Sequence, residues 1–155
     1  MERKDSTATN PTIQKFGYPA TLLREFEHWV ILLRPAQVTL GSLVLAAKSD
    51  ATAYGELPKA AFAEQAEAVA AIEDVLARFC RYDRLNYLML MMVDPNVHFH
   101  VIPRYSAARQ WSGIDFPDAG WPGPPQLASA IALDGTQLRG LVSEVAAMFE
   151  YRASS

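Results

Sequence analysis

Two of the chain's three histidines, His98 and His100, stand two residues apart in the run Asn96-Val97-His98-Phe99-His100-Val101-Ile102-Pro103-Arg104-Tyr105. Side chains of a β-strand point to opposite faces in turn, so Asn96, His98 and His100 fall on one face. Arg104 shares that face by parity, while Val97, Phe99 and Val101 point the other way, into a core. A neutral imidazole carries one nitrogen lone pair and one N–H. Two of them on a rigid strand can supply a nucleophile or base beside a hydrogen-bond donor. Alternating histidines are also a two-ligand metal platform, but a site needs a third ligand, and only His28, Asp94 or a distant acid is at hand. The reading adopted is therefore metal-free. His28 precedes an apolar strand and reads as a strand-edge residue.

These residues need a rigid body to hold them. At 155 residues, half of them hydrophobic and a fifth charged, the chain is long enough for one domain with a real core. A formal charge of -3 offers no basic field for nucleic acid, though a local cation can still hold a small anion. Cys80 is alone, which excludes a disulfide framework and a cysteine-based zinc site. The polar start lacks the apolar core of a signal peptide, and no stretch approaches the ~20 apolar residues of a membrane span. A cytoplasmic protein without nucleic-acid or membrane partners is the expectation.

Residues 1–15 are polar and predict a flexible tail ahead of a single domain over 16–155. The run His28 to Leu33 predicts a buried strand, and Leu40 to Ala47 a second, joined by a hairpin through Pro35-Ala36-Gln37-Val38-Thr39. Pro58 to Cys80 predicts a long helix, with Phe62, Ala66, Val69, Ile72, Leu76 and Phe79 as its apolar stripe. Leu85 to Met92 predicts a long strand that turns through Val93-Asp94-Pro95-Asn96 into the histidine strand, which Pro103 closes. Glycines and prolines between 106 and 135 predict an extended surface segment pinned by Trp111, Phe116 and Trp121. A C-terminal helix starts near Thr136. The order implies an α+β fold, an antiparallel sheet of about five strands with the helices on one side.

Asn96 through Tyr105, taken with this layout, resembles the histidine triad (HIT) superfamily, whose signature alternates three histidines with apolar residues. Here Asn96 takes the first histidine's place, His98 the second and His100 the third. Asn86-Tyr87 through His100 fits the spacing of one branch of the family without a gap. Leu40-Gly41-Ser42-Leu43-Val44-Leu45 resembles its Gly-His-apolar strand, with Ser42 in place of histidine. The likeness spans roughly residues 16–125. It implies that His98 attacks the α-phosphorus of a nucleotide, and that His100 donates to a phosphate oxygen or protonates the leaving group. It implies substrate-binding positions at Asn96, Asn86, Arg34, Ser42 and Arg104. No cofactor is required, although a divalent cation helps some relatives, and the expected assembly is a homodimer acting on a nucleotide. The chain departs from the pattern at Asn96, at Met92 where an asparagine is frequent, at Arg34 where a carboxylate or amide is usual, and at Asp50. The competing reading is a nucleotide-binding or interaction protein with little catalysis on the same scaffold.

Overall fold

The two most apolar runs of the chain become the centre of a sheet. In the computed structural model, which describes residues 10–150, helix α1 (Pro11–Lys15) leads into β1 (Leu22–Glu25), β2 (Trp29–Leu33), β3 (Ala36–Gln37) and β4 (Leu43–Ala47). Helix α2 (Lys59–Cys80) is followed by β5 (Arg84–Leu88), β6 (His98–Arg104), β7 (Arg109–Trp111), β8 (Ile114–Phe116), β9 (Ile131–Ala132) and α3 (Gly135–Glu150). Five strands pair in the order β1-β2-β4-β6-β5, with every pairing antiparallel. Every residue of β2 and β4 is buried, as continuous apolar runs require when both faces of a sheet are covered. The expected α+β class and five-strand sheet are what the structure has.

One face carries α2 and α3. Trp29, Ile31, Leu33, Leu43, Leu45 and Val101 pack there with Ile72, Leu76, Leu141 and Val145. The helix stripe is rotated from the expected one. Ala61 and Ala68 are buried while Phe62 is 38% exposed, its ring 5.2 Å from that of Tyr54. Small residues let α2 approach the sheet closely, and the Ala61 carbonyl accepts from Trp29 Nε1 at 2.7 Å. Helix α2 stops at Arg81, which takes a left-handed conformation at φ 48°. Gly41 (φ 95°) is favoured by its left-handed backbone, and a Cβ there would also crowd Leu76 Cδ2 at 3.2 Å.

The helices are not all on one side. Ile13 of α1 packs on the opposite face with Val30, Leu32, Val44 and Ala46. The expected tail is therefore corrected from residue 10 onward; residues 1–9 lie outside the described part. Asn10 caps α1, accepting from Ile13 N at 2.9 Å, and its amide donates to the carbonyls of Ala47 (2.9 Å) and Ser49 (3.0 Å). Pro11 occupies the first turn, where its missing N–H costs nothing.

Other boundaries move for local reasons. Strand β5 ends at Leu88, and Met91 takes φ 52° in the loop to β6. Strand β6 starts at His98 and runs through Pro103 to Arg104. Pro103 is tolerated because it lies beyond the last β4 pair, Leu43 with Val101, where β6 is an edge on that side. The β2–β4 connection is fastened by two-residue pairing of β3 with β9 and by Gln37, which bonds the carbonyls of Arg34 (2.7 Å) and Ser42 (2.9 Å). Within 106–135 a short hairpin, β7–β8, turns at Ser112 and Gly113, both at positive φ. Phe116 is fully buried, and Trp111 Nε1 bonds Glu144 Oε1 at 2.8 Å, so both residues pin this segment as expected.

Candidate active site at His98 and His100

His98 stands opposite Ala46 on β4, and His100 lies between Val44 of β4 and Leu88 of β5. Both rings point to the α1 face, because Val97 and Val101 are buried on the other. The two imidazoles meet edge to face with centroids 5.1 Å apart. Phe16, at the end of α1, covers both, its ring 5.8 Å from His98 and 5.6 Å from His100. His98 is 2% exposed and His100 6%.

The His98 ring is held by its own strand. Nδ1 lies 2.7 Å from the carbonyl oxygen of Asn96. A carbonyl only accepts, so Nδ1 carries the proton and Nε2 keeps the lone pair. His100 is held from the other side of the site. Arg34 Nε donates to His100 Nδ1 at 3.3 Å, and Arg34 Nη1 donates to the Ala36 carbonyl at 2.7 Å. Burial first, then the charge of Arg34 and the neighbouring His98, push the His100 pKa down to about 4, against an upward pull from Asp94. Burial also lowers the pKa of Arg34. Arg34 thus joins the histidines, by contact with a ring.

The other expected site residues do structural work. Asn96 precedes β6, and its amide is consumed internally. Its Oδ1 accepts from Thr12 Oγ1 (3.0 Å) and Thr12 N (3.4 Å), and its Nδ2 donates to the Asp50 carbonyl (3.1 Å). It latches α1 to the sheet, and only its backbone carbonyl reaches His98. Ser42 is fully buried and closes a turn, bonding the carbonyl (2.8 Å) and the N–H (3.1 Å) of Thr39. Arg104 forms a buried bidentate pair with Asp118 through Nε (2.7 Å) and Nη2 (3.0 Å), while Nη1 donates to Asn86 Oδ1 (2.8 Å) and Nη2 also to the Gly123 carbonyl (2.9 Å). Arg104 and Asn86 share the histidine face but lie at its far end, where with Arg84 and Trp121 they line a cavity of about 630 Å³.

Around the site, Asp94 pairs with Lys15 at 2.8 Å, and Met92 and Val93 are over four-fifths exposed. His28 precedes β2 at the same sheet end as His98 but two strands across, and its backbone N–H bonds Glu64 Oε1 at 2.6 Å. Among the described residues no three His, Cys, Asp or Glu side chains converge to hold a metal ion, and no helix is long and apolar enough to cross a membrane. Phe16 and Thr12 were missed by sequence reasoning because they fall at or before the expected domain edge. The Asn10-Pro11 cap signature was the one signal that could have placed them.

No family model and no curated protein matches the chain. Solved structures do. A histidine triad protein from Bradyrhizobium japonicum superposes with a TM-score of 0.71 at 18% identity, over 94% of this chain and 99% of that one. A histidine triad protein from Sinorhizobium meliloti gives 0.67 at 17% identity, over 88% and 93%. A diadenosine triphosphate hydrolase from Plasmodium falciparum gives 0.60 at 8% identity, over 85% and 78%. With its five antiparallel strands, its long helix and its paired imidazoles on β6, the chain has the fold of the histidine triad proteins.

Proposed function

We propose that this chain is a nucleotide hydrolase or nucleotidyl transferase that works through a covalent intermediate on His98. The observation that carries the proposal is the bond from His98 Nδ1 to the Asn96 carbonyl, which leaves the Nε2 lone pair as the nucleophile. In the first step Nε2 attacks the α-phosphorus of a phosphoanhydride or phosphoramidate. The P–N bond forms while the bond to the leaving group breaks, and the leaving group departs with the electron pair. Water or another acceptor then attacks phosphorus, losing its proton, and His98 is released. A His100 pKa near 4 favours a neutral ring that donates to a phosphate oxygen over an imidazolium acid. The neighbouring fold, which includes a diadenosine triphosphate hydrolase, supports a nucleotide as substrate. A homodimer is part of the same proposal, as the resemblance of the histidine strand to the histidine triad family implies.

Incubation with dinucleoside polyphosphates, nucleoside phosphoramidates and nucleotide sugars, with intact-mass detection, tests this. A nucleotidyl adduct is expected on the native protein and none on His98→Ala, whose turnover falls at least about 10³-fold. Full activity in His98→Ala refutes the mechanism. A second reading, a binding protein with little catalysis, is favoured by the near-complete covering of both rings beneath Phe16. It predicts nucleotide binding by calorimetry without release of mononucleotide, unaltered in His98→Ala.

A further inference from the structure

Arg34 leaves β2 just after Leu33, and its guanidinium makes no ion pair with a carboxylate among the described residues. Its place is set by backbone on two sides. Its Nη1 rests on the Ala36 carbonyl, and its own carbonyl accepts from the buried Gln37 amide. Ala36 is fixed in turn by pairing with Ala132. From this anchored position Nε–H faces His100 Nδ1 at 3.3 Å. A guanidinium is a donor at every pH a protein survives, so the nitrogen it faces must accept.

We infer that Arg34 is a positioning residue that holds His100 in the tautomer with its proton on Nε2. The two imidazoles are then made complementary by two different partners. A carbonyl puts the His98 proton on Nδ1 and leaves Nε2 a lone pair. A guanidinium does the reverse for His100, whose Nε2 becomes a donor. Protonating His100 would set an N–H against an N–H and a cation against a cation. The remaining groups facing His100 do little to oppose this. His98 lies on the same strand, Phe16, Val44 and Leu88 are uncharged, and Asp94 is engaged by Lys15. The lowered His100 pKa agrees with the geometry. The catalytic value of this arrangement rests on the proposed function, but the tautomer does not.

Long-range proton–nitrogen correlation spectra of uniformly ¹⁵N-labelled full-length protein, recorded from pH 8 to pH 4, test the inference without any substrate. The expected spectrum shows His100 with Nδ1 unprotonated and Nε2 protonated, and no titration of this ring above about pH 5. In Arg34→Met the tautomer preference should be lost and the His100 midpoint should rise by at least one pH unit, a tenfold gain in proton affinity. Arg34→Lys should keep a low midpoint with a mixed tautomer, because charge remains without the fixed fork. A native His100 protonated on Nδ1, or one titrating near 6.5, overturns the inference even if neither variant folds. So does an Arg34→Met spectrum identical to the native one. Failure of every turnover assay with these spectra as expected would refute the proposed function alone.

Discussion

At the scale of single residues, the position that the strand pattern offers to a third imidazole has a mechanical task. Asn96 closes four hydrogen bonds between α1, the Asp50 turn and the start of β6, counting its own N–H to Thr12 Oγ1. Asn96→Ala would leave the buried Thr12 N–H without its acceptor, at about 1–3 kcal/mol for a buried group so orphaned, while the exposed Asp50 carbonyl turns to water. Urea denaturation should show a loss in that range, and an unchanged midpoint would mean that water replaces the amide freely. His100 adds a pH dependence of defined sign. Its proton binds near 6.5 in the unfolded chain and at about 4 in the folded one, so the unfolded state holds more protons between these values. Stability from this ring is complete above 6.5 and is lost as pH falls toward 4. Denaturation series at pH 7.5, 5.5 and 4.5 should show a smaller drop in His100→Gln than in the native protein.

The elements hold the site by clamping both ends of β6. At one end α1 is tied down by Asn96, Asn10 and the Lys15–Asp94 pair, and at the other Arg104 grips Asp118 and the carbonyl of Gly123. Asp118→Ala would strand a buried guanidinium, which costs about 3–5 kcal/mol. Thermal or urea unfolding should register that loss, and a cost below about 1 kcal/mol would show that Arg104 turns to water instead. The strands β2, β4 and β6 and the helix α2 were legible because each is a long apolar or periodic run. Helix α1 was not, because a short capped helix is locally as polar as a tail. Its reason for order is the apolar face of Val30, Leu32 and Val44 it must cover. The pairs β3–β9 and β7–β8 are two and three residues long, too short to show a period.

On the scale of the whole molecule, the sheet ends in two edge strands, β1 and β5, each with one row of backbone groups unpaired within the five-stranded sheet. The β5 edge is followed by a loop whose Leu90, Met92 and Val93 are exposed. A chain that joins its sheet to that of a second copy should sediment at twice the 17.1 kDa of one chain. Analytical ultracentrifugation at micromolar concentration checks this, and a single 17.1 kDa species would refute the homodimer.

The alternation of polar and apolar residues by itself determined that His98 and His100 share a face, while the place of their strand inside the sheet came from its pairing with β4 and β5. A period of two leaves no freedom once the opposite face is buried. The same alternation put Asn96 and Arg104 on that face, and there local pattern ended. Which partners take up an amide or a guanidinium depends on segments far away in the chain. Thr12 lies 84 residues from Asn96, and Arg34 lies 66 residues from His100. Only the tertiary structure decided that Asn96 is a latch, that Arg104 is a clamp, and that a cation faces the second imidazole.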